Sequence, residues 1–182
     1  MYDEDTHDDA AYEAVLEAVD EAKFWEPEGY KALEKTLEVA VITYHLGPVR
    51  HAVLALRQDA QDRAVIASRL WDYLYQLSPD CAEGEDDEDA EFADGVFNPV
   101  CDAVHGSDID SEQQFERGAQ AIALASRCHG AHLVSSRLMS EEHMAIDEAV
   151  VLTRLLNTTL GIYDTCPDCR EVIIGATPFT DL

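Results

Sequence analysis

The stretch PVRHAVLALRQDAQDRAVIASRLWDYLYQL, residues 48–77, decides the fold class of this chain. Its apolar residues recur every three or four positions, which is the period of one face of an α-helix. The members of that face are Val49, Val53, Leu56, Ala60, Ala67, Leu70 and Leu74. Gly47 and Pro48 stand at its start, and this pair is typical of a helix end followed at once by a new helix. The stretch therefore predicts one long helix that is entered through a tight helical hairpin.

The same periodicity covers most of the remaining chain. It predicts further helices over residues 8–25, 29–46, 98–106, 111–139 and 140–163, with Ser111 and Ser140 as candidate N-caps. The strand-like run at residues 172–174 is too short to form a sheet by itself. We therefore predict one all-α domain over residues 1–182, an antiparallel bundle of about five to six helices with a short extended C-terminal tail from residue 166 to residue 182.

Length and composition agree with a globular domain. A chain of 182 residues with 47% hydrophobic content is large enough to bury a core. It contains no apolar run of the length that a membrane span requires, so we expect no membrane contact. The start MYDEDTHDDA is acidic where a secretory signal would be basic and then apolar, which predicts a cytoplasmic protein with reduced cysteines.

Charge is the strongest signal in the composition. Asp and Glu number 38 against 12 Lys and Arg, a formal net charge of −26. Such a surface disfavours direct binding to nucleic acid, because affinity for phosphates depends on Lys and Arg. Pairing inside the fold between the locally basic stretch of residues 43–71 and its acidic flanks would offset part of this charge, and adaptation to a salty host or general solubility would also explain it. A third explanation is imitation of nucleic acid.

An acidic break interrupts the helices between about residues 78 and 95, where we predict a flexible loop. The spacing of its acids does not match a calcium-binding EF-hand. An aromatic cluster at the end of the long helix is typical of a core and sometimes of a docking surface. The predicted partner-binding residues are Glu85, Asp86, Asp87, Glu88, Asp89, Trp71 and Tyr75.

The cysteines and histidines form a candidate metal site. Cys166 and Cys169, in the turn Cys-Pro-Asp-Cys, have the spacing of half a structural zinc site, which needs two more ligands. Cys128 and His132 stand four residues apart, as neighbours on one helix face would, and are the first choice for the other half. Cys101 and His105 form the alternative pair. Inert buried thiols and a redox pair are the competing interpretations of the cysteines.

Motifs for catalysis are absent from the sequence. It has no Gly-x-Ser-x-Gly, no His-Glu-x-x-His, no Walker loop and no Gly-x-Gly-x-x-Gly. We therefore expect a protein that acts by contact: an acidic helical module or inhibitor that docks on a basic surface of a partner protein. The alternatives are a nucleic-acid mimic that blocks a DNA- or RNA-binding complex and a small zinc-dependent enzyme.

Overall fold

A computed structural model describes residues 4–82 and 94–161. These residues form six α-helices and contain no β-strand, so the predicted all-α helical bundle is confirmed. The helices are α1 (Glu4–Glu21), α2 (Pro27–Tyr44), α3 (Leu46–Leu77), α4 (Asp94–His105), α5 (Glu112–His129) and α6 (Ala131–Asn157). A short 3₁₀ turn, Pro79–Ala82, follows α3. Within the described ranges, no helix combines the length and the apolar content needed to cross a bilayer. Most of the predicted acidic loop and the predicted C-terminal tail lie outside the described residues.

The described residues group into two compact units, and the prediction of a single domain stays a prediction. The first unit takes in residues up to 58 and from 148 onwards, so it contains α1, α2, the start of α3 and the end of α6. Its apolar core is built from one face of each of these helices. The most deeply buried members are Val15, Leu37, Val49, Val53, Leu152, Leu155 and Leu160.

The second unit, residues 59–147, contains the rest of α3, all of α4 and α5, and the first part of α6. Its core includes Leu70, Leu74, Val100, Ile122, Val134 and Leu138. Gly118 of α5 lies against the end of α4, where an added Cβ would come within 3.1 Å of the Ala103 carbonyl oxygen and 2.5 Å of Ser107 Oγ. A glycine at this position allows α4 and α5 to approach closely.

The helix ends show which local interactions set the boundaries of the helices. Pro27 begins α2 at the first helical position, as its fixed φ favours. The junction between α2 and α3 consists of His45 alone, at φ 71°, so it precedes the predicted Gly47 and Pro48 by two residues. Ser111 caps α5, and its side chain accepts a hydrogen bond from the Gln114 backbone N–H at 3.4 Å.

Several predicted boundaries were wrong: α1 spans Glu4–Glu21 instead of residues 8–25, and α4 begins at Asp94 instead of residue 98. The helix predicted over residues 111–139 ends at His129, because Gly130 adopts φ 99° and its N–H bonds to the Ser126 carbonyl at 2.9 Å. The predicted cap at Ser140 lies inside α6, which continues from Ala131 through this position to Asn157. Residues before and after it, Leu138 and Glu141, are both buried, so packing continues across the serine and overrides its capping preference.

Candidate functional site

Two helices of the second unit bring four chemically active side chains together. Cys101 and His105 lie one turn apart on α4, as the alternative metal pair predicted, and Arg137 and Glu141 lie one turn apart on α6. The Cys101 thiol donates a hydrogen bond to Glu141 Oε1 at 3.0 Å. Arg137 Nη2 donates to the same carboxylate oxygen and lies 3.5 Å from the Cys101 sulfur. His105 Nε2 is 3.9 Å from Glu141 Oε2, so a protonated imidazole would form an ion pair with it. We call these four residues the α4–α6 polar cluster.

The centre of this cluster is shielded from water. The side chains of Arg137 and Glu141 are 1% and 5% exposed, whereas that of His105 is 54% exposed. The guanidinium carbon of Arg137 lies 4.2 Å from the centroid of the Phe97 ring. A buried carboxylate and a buried guanidinium each need a partner, because an isolated charge in a protein interior is costly. Each supplies that partner to the other.

The Cys101 thiol is held in its neutral form. Burial raises the pKa of Cys101, the hydrogen bond to Glu141 raises it further, and the Arg137 guanidinium acts in the opposite direction. The thiolate is the nucleophile and the metal ligand among cysteine species, so a raised pKa opposes both roles at neutral pH. The arrangement therefore fits a structural polar network better than a nucleophilic centre.

The cluster also fits a metal ion poorly. Its carboxylate and thiol both face the Arg137 guanidinium, which would repel a cation placed between them. In the parts of the chain that the structure describes, no three side chains of His, Cys, Asp or Glu are placed to hold a metal together. Metal binding by Cys101 and His105 thus stays a prediction, and this geometry gives it no support.

The first-choice metal pair is divided by a helix end. Cys128 lies in the last turn of α5 and His132 in the first turn of α6, with Gly130 between them, so the two do not share one helix face. Both residues are exposed. Cys166 and Cys169 lie outside the described residues. A structural zinc ion on Cys166, Cys169, Cys128 and His132 therefore stays a prediction.

The predicted aromatic contact residues have different surroundings. Trp71 and Tyr75 stack with ring centroids 5.4 Å apart and planes inclined by 13°. Trp71 packs against the core of the second unit, and its Nε1–H donates to Ser135 Oγ at 2.8 Å. Tyr75 is 44% exposed and presents its ring to solvent. The acids Glu85, Asp86, Asp87, Glu88 and Asp89 lie outside the described residues, so all seven partner-binding residues stay predictions.

A row of carboxylates on α1 was not predicted as a site. Asp9, Glu13, Glu17 and Glu21 follow one another at intervals of four residues along one side of the helix, and all four are exposed. The opposite side carries the buried residues Ala11, Val15 and Val19. Four residues rise about 6 Å along an α-helix, so the carboxylates form a regular line along its axis. The four-residue spacing was visible in the sequence and could have identified the row.

This row does not contribute to the stability of the described fold through pairing. Among the described residues, none of the four acids forms an ion pair with a basic side chain. Like charges four residues apart destabilise a helix by about 0.2–0.5 kcal/mol per pair. The last turn of α1 carries acids and no basic residue, which also opposes the helix dipole. The row therefore raises the free energy of the folded state, and no ion pair among the described residues offsets this.

Comparison with protein-family models, with curated proteins and with solved structures gives no match for this chain.

Proposed function

We propose that the protein is an acidic helical module that acts in the cytoplasm and docks on the basic surface of a partner protein through the outer side of α1. The observation that carries this proposal is the exposed row of Asp9, Glu13, Glu17 and Glu21, which has no ion-pair partner among the described residues. A partner that places Lys or Arg side chains along the row would relieve its internal repulsion. Association would then be favoured both by the new ion pairs and by the relief of the repulsion between the carboxylates.

The packing of α1 against the core supports the proposal. Val15 and Val19 anchor the helix in the core of the first unit, so the carboxylates on its other side are held in a fixed line before a partner arrives. Preorganised charges lose less conformational entropy on binding than charges on a loop. The formal net charge of −26 would also draw a basic partner toward the protein from a distance at low ionic strength.

A pair of charge-matched variants tests the role of the row. In the first variant, Glu13→Gln, Glu17→Gln and Glu21→Gln neutralise three carboxylates of α1. In the control, Asp72→Asn, Glu116→Gln and Asp147→Asn neutralise three exposed carboxylates of the second unit. Both proteins lose the same formal charge, so a difference between them reports position and not total charge.

The measurement is retention of proteins from a cell lysate on each immobilised variant, followed by elution in a salt gradient and identification by mass spectrometry. We expect proteins with basic surfaces to be retained by the wild type and by the control and to be lost from the α1 variant. Equal losses on both variants would show nonspecific charge attraction and contradict the proposal. Release of the retained proteins by duplex DNA at constant ionic strength would indicate that they were held by a nucleic-acid-binding surface.

A further inference from the structure

The outer side of α2 carries two strongly exposed apolar residues on an otherwise strongly acidic protein. Val39 is 61% exposed and Ile42 is 78% exposed, and they lie three residues apart on the same side of the helix. Thr36 and Thr43 extend this side, and their hydroxyls donate to the carbonyl oxygens of Ala32 and Val39 at 3.0 and 2.9 Å. Because these hydroxyls are bonded to the helix backbone, the threonines add little polarity to the surface.

The charge of this surface also differs from that of the whole chain. Lys31 and Lys35 lie on the same side of α2 as Ile42; they are one turn apart, and Lys35 is two turns from Ile42. The acids Glu28 and Glu38 flank them, so the four charges sum to zero. A chain with a formal charge of −26 thus presents here two exposed apolar side chains among acids and lysines that nearly balance. An acidic segment with apolar side chains would meet less repulsion at this surface than at the acid row of α1.

The end of the described chain lies beside this helix. Thr159 Oγ1 donates to Glu34 Oε1 of α2 at 3.2 Å, and Arg154 lies over the Tyr30 ring at 4.5 Å. Gly161, two residues after Thr159, is the last described position, and residues 162–182 follow it. This segment carries four acids, one arginine and the apolar run Val172, Ile173 and Ile174.

We propose that the C-terminal segment of this chain, through residues 172–174, docks on the outer side of α2 at Val39 and Ile42. The reach is sufficient, because Ile42 lies about 12 Å along α2 from Glu34 and the ten residues between Gly161 and Val172 extend to about 35 Å. The tether makes the contact intramolecular, which gives the segment a high effective concentration at this surface. This docking is independent of the function proposed for α1.

Tryptic cleavage after Arg170 tests the docking, since Arg170 is the one Lys or Arg in the chain beyond Arg154. Cleavage there releases residues 171–182, and mass spectrometry follows that fragment. The rate of cleavage after Arg170 depends on how often the segment leaves its binding surface on α2. The double variant Val39→Ser/Ile42→Ser removes the apolar contacts from exposed positions, and we expect it to release the fragment about tenfold faster. Helical circular dichroism verifies that the variant remains folded.

Two further variants separate the proposed contact from other causes. The matched control Val65→Ser/Leu124→Ser also replaces exposed apolar residues, on α3 and α5, and should leave the rate unchanged. Ile173→Asp should accelerate release of the fragment as the α2 variant does. Each cleavage rate is first divided by the rate for the corresponding isolated peptide of residues 162–182, which removes any effect of the substitution on trypsin itself. A normalised rate that does not respond to the α2 variant would overturn the proposal, whether that rate is fast or slow. Protection that grows with protein concentration would overturn it in favour of a second copy of the chain.

Discussion

Arg137 and Glu141 form an ion pair one turn apart on α6 in which both side chains are nearly inaccessible to water. The pair connects α6 to α4, because Glu141 also accepts a hydrogen bond from the Cys101 thiol and Arg137 lies over the Phe97 ring. Removing one member of a buried pair leaves the other charge uncompensated, which makes such a pair costly to break even where its net contribution is small.

We predict that Arg137→Ala lowers the free energy of unfolding by about 3–5 kcal/mol, because it leaves the Glu141 carboxylate buried without its cation. Urea denaturation followed by circular dichroism measures the change. The control is Asp59→Ala, which removes an exposed i,i+4 pair with Arg63 and should cost at most about 1 kcal/mol. Similar costs for the two substitutions would show that the buried pair has no special role.

The raised pKa of Cys101 predicts slow alkylation. At pH 8 a smaller fraction of Cys101 than of an ordinary cysteine is thiolate, so iodoacetamide should modify Cys101 more slowly than the exposed Cys128. Peptide mass spectrometry after timed quenching distinguishes the two sites. Modification of Cys101 as rapid as that of Cys128 would contradict the thiol's placement beside Glu141.

The same pKa shift predicts a loss of stability in alkali. The folded state keeps the Cys101 proton to higher pH than the unfolded state, so stability falls as the pH rises above about 8.5, the usual thiol pKa. Below that pH both states hold the proton and stability is unaffected by this group. Unfolding free energies at pH 7 and pH 10 should therefore differ less in Cys101→Ala than in the wild type, and an equal difference would exclude the thiol as a cause.

Gly118→Ala should destabilise the second unit. The new methyl group would displace Ser107 Oγ, breaking its hydrogen bond to the Ala103 carbonyl, and would press on that carbonyl. Overpacking of this kind costs about 1–3 kcal/mol, more than alanine gains from its higher helix propensity. A melting temperature equal to or above that of the wild type would show that α4 and α5 separate easily.

The acid row of α1 predicts a stability gain on neutralisation. Glu17→Gln/Glu21→Gln removes like-charge contacts and acids near the helix C-terminus, so it should increase the unfolding free energy by about 0.5–1 kcal/mol at low salt. Asp8→Asn, nearer the N-terminus where the dipole favours an acid, should give no such gain. A stability loss in the double variant would reveal a pairing of these acids inside the fold.

Much of the fold was predictable from the periodicity of apolar residues and from a few residues that mark helix ends. The seam of α3 from Val49 to Leu74 is buried as its three- and four-residue spacing predicts. The prediction at Ser140 was wrong because a capping preference amounts to about 1 kcal/mol, less than the burial of apolar residues such as Leu138 and Ala145 on either side of it. A single sequence does not show which local signal will be overridden by packing.

The candidate site was less accessible from sequence. The spacing of Cys101 and His105 singled out the pair, but their partners Arg137 and Glu141 are more than thirty residues away and meet them only through the packing of α4 on α6. The arginine, which lies against both the thiol and the carboxylate, had no local signal. The α1 row had a clear local signal in its four-residue spacing, yet the exposure of its acids became evident only when Val15 and Val19 were found buried on the other side.

The central claim is that the carboxylate row of α1 holds a basic partner, and titration calorimetry with a partner captured on the wild-type protein tests it most directly. Binding is measured at about 50 and 200 mM salt for the wild type, for Glu13→Gln/Glu17→Gln/Glu21→Gln and for the charge-matched control in the second unit. We predict that the α1 variant binds about tenfold more weakly at low salt and depends less on salt, while the control stays close to the wild type. Equal affinities and equal salt dependence in the two variants would contradict the claim.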